Sequence, residues 1–332
     1  MATAALLDVA QRGPHPVGVR TEVLTDPSDP ARSLATDLWY PALPTTGEPD
    51  ADHPFGPRHA ATIDAVAIDA SCPLVVFSHG NGGLRRQSTF LTTHLASWGI
   101  AVVAPDHTGN TFFDTLHFKD DDERIAAHKR AREQRPRDAL CAIAAALDGR
   151  FEPGPTIDGS RIGALGHSFG GWTASKLPAL EARIQALCLL APASEPFVGR
   201  AAYAPGELPF DRDVGTLIVA GTDDVLVDLE TSVRPLMRRL GAPTALVGID
   251  GADHYHFCDG IPVLHGQHEA NPRPNQPRPT RPYDDLLSET RCHRALRGLV
   301  TYHLTTALGG EGGATGLGSE ALTALDPALR EL

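Results

Sequence analysis

The chain has 332 residues, 42% hydrophobic and 21% charged, which is enough apolar material for one large core and too much for wholesale disorder. Its formal net charge of −12 argues against a nucleic-acid partner, because phosphate contacts need clustered Lys and Arg. No apolar run approaches the ~20 residues that cross a bilayer, and the opening MATAALLDVAQRGPHPVG lacks the basic and long apolar parts of a secretory signal, so a cytoplasmic protein without a membrane partner is expected.

Two opening strands are predicted over residues 17–24 and 34–39, separated by the turn-rich DPSDPAR. Residues 41–62, rich in Pro, Gly and His, read as a surface loop. Six short apolar runs follow, at 74–77, 100–104, 162–165, 186–190, 216–220 and 245–249, each bounded by turn residues. Such runs fit strands buried on both faces of a parallel sheet. Helices fit between them, at 86–98, 123–147 with an interruption near Pro136, 169–177, 229–240 and 286–308. The basic stretch from Lys129 to Arg137, which also carries Glu133, reads as the solvated face of a helix. The alternation implies an α/β fold with a doubly wound, mostly parallel sheet of about eight strands, in a single domain over residues 1–308. Residues 271–282 (NPRPNQPRPTRP) read as an extended loop, and 309–332 as a Gly-rich, mobile tail. The cysteines Cys72, Cys141, Cys188, Cys258 and Cys292 show no C-x-x-C spacing and are expected as reduced thiols; Cys258 and Cys292 could pair in an oxidising setting.

In doubly wound sheets ligands bind beyond the carboxyl ends of the strands, so the residues that follow each run matter most. The run RIGALG leads into Gly166-His167-Ser168-Phe169-Gly170, a G-x-S-x-G nucleophile elbow between strand and helix. A serine hydroxyl needs a base to take its proton, and in this arrangement the acid and then the histidine follow in chain order. The run TLIVAG ends in Thr222-Asp223-Asp224, and ALVGID ends in Gly251-Ala252-Asp253-His254. Asp224 is favoured over Asp223 as the acid and His254 over His256 as the base. His254-x-His256 also raises a metal reading, but HYHFCDG misses the H-x-H-x-D-H pattern, so neither a metal nor another cofactor is expected. The oxyanion donors are expected at the backbone N–H of Phe169 and of Asn81, the latter in the loop Ser78-His79-Gly80-Asn81-Gly82-Gly83. No G-K-[ST] follows that loop, which argues against phosphate binding.

The segments PLVVFSHGNGG, GIAVVAPDHTGNT, RPRDAL, IGALGHSFGGWTA and GADHYHF together resemble the platelet-activating-factor-acetylhydrolase and dienelactone-hydrolase-like branch of the α/β-hydrolases, and are similar to bacterial cutinase-like polyesterases. The resemblance implies hydrolysis of carboxylic esters without a metal, often with short or compact acyl groups. Two departures stand out. The strand after the elbow ends in Leu189-Leu190-Ala191-Pro192, with no carboxylate, so the acid falls one strand later than in the platelet-activating-factor enzymes; and the nucleophile is serine, where dienelactone hydrolases use cysteine. The expected activity is that of a carboxylesterase or lactonase acting on a small-molecule ester. The alternatives are an acyltransferase or cyclase using the same acyl-enzyme, or an inactive ligand-binding fold. Residues 193–213 are expected to lend Phe197, Tyr203 and Phe210 to the wall of a compact pocket, while Trp172 reads as a core side chain with substrate contact as its alternative.

Overall fold

The computed structural model describes residues 2–47, 49, 60–194, 201–241, 243–272, 276, 278–310 and 317–332. Its strands are β1 (Val17–Asp26), β2 (Asp29–Pro41), β3 (Thr62–Ile63), β4 (Ser71–Ser78), β5 (Ala101–Pro105), β6 (Thr156–His167), β7 (Ile184–Leu190), β8 (Gly215–Gly221), β9 (Thr244–Ile249) and β10 (Leu329–Glu331). They form one sheet in the order β10-β9-β8-β7-β6-β4-β5-β2-β1-β3. From β5 across to β9 every neighbouring pair is parallel, whereas β2 runs antiparallel to β1 and β5 and β10 runs antiparallel to β9. The two opening strands and the six apolar runs read from the sequence are all strands of this sheet. The two additions, β3 and β10, are edge strands of two and three residues, too short to leave a periodic signature.

The helices are α1 (Ala2–Val9), α2 (Thr89–Ser97), α3 (Phe112–Thr115), α4 (Asp121–Leu147), α5 (Phe169–Lys176), α6 (Arg234–Leu240), α7 (Ile261–Ala270), α8 (Glu289–Leu308) and α9 (Ser319–Leu325). Side chains alternate across the sheet. On β4, Val75 and Phe77 join a core with α1, α2, α8 and α9, while Leu74 and Val76 join a second core with α4, α5 and α6. Both faces are therefore covered, which is why the central strands are apolar throughout.

Three expectations need correction. The helix expected to break near Pro136 runs unbroken through it as α4. The basic face of that helix is not wholly solvated, because Arg135 and Pro136 are buried within it. The tail is not a mobile segment over its described part, because α9 buries Leu322 and Leu325 and β10 pairs with β9. Residues 311–316, which carry much of its glycine, lie outside the described residues.

Candidate active site

The elbow is set by steric crowding. Ser168 leaves β6 with φ 56° and ψ −119°, a left-handed backbone that an L-residue adopts only under constraint. A Cβ on Gly170 would collide with the Ser78 carbonyl, and one on Gly166 with the Gly170 carbonyl. The two flanking glycines thus let α5 start immediately over β4 and β6, raising the Ser168 hydroxyl above the strand ends.

The loops after β8 and β9 meet that hydroxyl. His254 Nε2 lies 2.9 Å from Ser168 Oγ, and its Nδ1 lies 2.8 Å from Asp224 Oδ2. Since a carboxylate only accepts, Nδ1 carries the proton and Nε2 presents its lone pair to the serine. The other oxygen of Asp224 accepts the Leu226 and Val227 N–H groups at 2.8 and 2.7 Å, which fixes the carboxylate in place. The rivals are engaged elsewhere. Asp223 pairs with Arg281 at 2.8 Å, and His256 bonds Asp253 and the Leu287 carbonyl. His254 and His256 therefore face different partners, and among the described residues no three potential ligands converge on a metal position.

The glycine loop after β4 closes the other side. Gly80 N–H donates to Gln87 Oε1 at 2.9 Å and Gly82 N–H to Asn110 O at 3.2 Å, with Asn81 between them. The Asn81 side chain accepts from Asn110 Nδ2 at 2.9 Å. Phe169 stands at the N-terminus of α5, directly after Ser168. Gln87 also donates to His167 Nδ1 at 3.0 Å, and His167 Nε2–H donates to the His254 carbonyl at 3.0 Å. The glycine loop, the elbow and the histidine loop are thereby tied through two side chains. Burial, reinforced by His254 nearby, holds His167 well below the ordinary imidazole pKa, so it stays neutral in this relay.

A cleft of about 530 Å³ opens over Ser168 and His254. Its apolar wall comes from Phe112, Phe118 and Ile125 on one side and Leu226, Tyr255 and Leu264 on the other. The expected aromatic wall is largely elsewhere. Trp172 is buried and donates its indole N–H to the Ala202 carbonyl at 2.8 Å. Tyr203 is buried with its hydroxyl 2.8 Å from Ser175 Oγ, and Phe210 is half-buried against the same core. None of these three lines the cleft; Trp172 and Tyr203 tie the loop after β7 to α5 instead. Phe197 lies outside the described residues. The wall residues between β5 and α4 went unread, although TFFDTLHF places three aromatics just past a strand's carboxyl end.

A family described as platelet-activating factor acetylhydrolase, isoform II, matches residues 61–136, a stretch that includes the glycine loop and ends before the elbow. A platelet-activating factor acetylhydrolase from Canis lupus familiaris is 29% identical over 135 aligned residues, covering 30% of this chain and 30% of that protein's length. Among solved structures, a ferulic acid esterase from Streptomyces cinnamoneus is similar with a TM-score of 0.71 at 23% identity, covering 98% of both chains. The sheet order and the elbow, with the likeness to this solved structure, give the chain an α/β-hydrolase fold, and over residues 61–136 it is similar to the platelet-activating factor acetylhydrolases.

Proposed function

We propose that the protein hydrolyses small carboxylic esters, lactones included, through an acyl-enzyme on Ser168. What carries this reading is the hydrogen-bonded row Asp224–His254–Ser168 at the base of the cleft, at 2.8 and 2.9 Å. His254 Nε2 takes the Ser168 proton as Oγ attacks the ester carbonyl, then returns it to the leaving alcohol. Asp224 holds the required tautomer and balances the imidazolium that forms. The N–H groups of Asn81 and Phe169 receive the oxyanion, and water then releases the acyl group through the same histidine. The related proteins named as acetylhydrolase and esterase agree with this chemistry.

The test is Ser168→Ala. It removes one hydroxyl from a preformed turn, so folding should persist while hydrolysis of p-nitrophenyl acetate falls by several orders of magnitude. A fluorophosphonate probe should label the parent protein and not the variant. Undiminished hydrolysis by Ser168→Ala would overturn the reading.

A further inference from the structure

Beneath the glycine loop lies a buried cation that the reaction scheme above does not use. Arg135 on α4 is fully buried, and all five of its N–H groups find acceptors. Nε donates to Thr173 Oγ1 at 3.1 Å, one terminal nitrogen to Asn110 Oδ1 at 2.6 Å and Gly80 O at 3.5 Å, and the other to Ser78 Oγ at 3.2 Å and to His79 O. Every one of these partners is neutral. The nearby carboxylate, Asp138, is already bonded to Arg32 at 2.5 and 2.8 Å and to His107 at 2.9 Å. Keeping an arginine there is costly, and burial lowers its pKa to about 9, still above neutrality.

The partners of this cation lie in the glycine loop, in the Asn110 turn that braces it, and on α5, the segments that carry the two expected oxyanion donors. Gly80 O and Asn81 N–H belong to the same peptide group. That carbonyl also accepts from His79 Nδ1 at 2.8 Å, because His79 Nε2 is occupied by the His107 N–H at 3.1 Å. Asn110, held by Arg135, grips both the Asn81 side chain and the Gly82 N–H. On the other side, Thr173 passes its own proton to the Phe169 carbonyl at 3.0 Å, and the guanidinium lies 4.6 Å from the Phe169 ring centre. Hydrogen bonds in such a chain polarise one another.

We infer that Arg135 is a positioning residue of the reaction, one that orients and polarises the Gly80–Asn81 peptide so that the Asn81 N–H meets the developing oxyanion as a strengthened donor. This rests on the ester-hydrolysis reading above. Arg135→Met and Arg135→Lys test it, with folding checked by circular dichroism and thermal melting. For p-nitrophenyl acetate, kcat should fall at least about tenfold in Arg135→Met while KM changes little, since the interaction matters only as charge develops. Affinity for phenylboronic acid, which forms a tetrahedral anionic adduct with the serine, should fall by a similar factor. Arg135→Lys, which keeps the charge and loses the fork, should fall between the parent and Arg135→Met, and it carries the same readings should Arg135→Met not fold. A merely structural role would lower the melting temperature and leave kcat and boronate affinity of the folded variant at parent values, and that result would overturn the inference. If the parent protein neither hydrolyses the ester nor binds the boronate, the ester reading itself falls, a distinct outcome.

Discussion

Asp223 and Asp224 leave β8 as neighbours and end in unlike surroundings. Asp224 is buried, accepts two backbone N–H groups and bonds His254; Asp223 reaches out to the half-exposed Arg281. Asp224→Asn should therefore lower kcat steeply, on the order of 10⁴-fold where a triad acid fixes the tautomer, because an amide can present its N–H and turn the imidazole around. Asp223→Asn removes only a surface ion pair, whose contribution is about 1 kcal/mol or less, and should leave kcat within a few-fold. Steady-state kinetics on the two variants decides the matter; a larger loss from Asp223→Asn would contradict the geometry. That the acids after β8 join the loop that meets His254 was legible in the sequence, because a place at a strand's carboxyl end fixes which loop a residue joins; which of the two faces the histidine is read from the structure. Gln87 and Arg135 were not legible in their contacts: Gln87 belongs to no motif, Arg135 stands in the sequence only as the start of RPRDAL and part of a basic stretch, and the partners of both are brought near only by the fold. Arg135 sits among exposed charges on α4, and the charge pattern alone hides its burial.

The turn after β9 and helix α7 are joined by a charged clasp. Asp253, just before His254, holds His256 at 2.7 Å and also bonds His265 Nδ1, whose Nε2 lies 2.8 Å from the Arg281 carbonyl. Both partners of His265 only accept, so its ring satisfies both bonds as an imidazolium. The bond to Asp253 raises the His265 pKa, and the two histidines hold the Asp253 carboxyl below the usual range. The sign follows from the raised pKa. The clasp's stabilisation is complete below the unfolded histidine value of about 6.5 and is lost as pH rises through the higher folded value. The melting-temperature gap between the parent protein and His265→Ala should thus be widest near pH 6 and shrink toward pH 9. A gap that widens with rising pH would refute the clasp. At this scale the sequence was uneven. The central strands were readable because each is a continuous apolar run between turns. Helices α1, α7 and α9 were not, because α7 mixes histidines with a glycine and the other two are short; each owes its form to packing, α9 by laying Leu322 and Leu325 on the core.

Across the whole molecule, the loops after β4, β6, β8 and β9 bring the site together at one edge of the sheet, and the segment after β5 adds to the lining of the cleft at that edge. Phe118 follows β5, Leu226 follows β8, and Tyr255 and Leu264 follow β9. The cleft's ~530 Å³ lies within the range of about 300–1,000 Å³ typical of small-molecule sites, which limits the acyl group it encloses. Each methylene buried on the apolar wall contributes about 0.8 kcal/mol, or roughly fourfold in kcat/KM if fully expressed in the transition state. For p-nitrophenyl esters, kcat/KM should therefore rise through short acyl chains, peak at medium length and fall once the chain must leave the cleft. Phe118→Ala enlarges the wall and should move the peak to longer chains. Tyr203→Ala should leave the peak in place, because Tyr203 is buried against Ser175 away from the cleft, although it should lower stability by leaving a cavity. A kcat/KM that climbs steadily to palmitoyl esters would contradict an enclosed site. A peak moved by Tyr203→Ala and not by Phe118→Ala would return selectivity to the loop after β7, where the aromatic pattern of the sequence first located it.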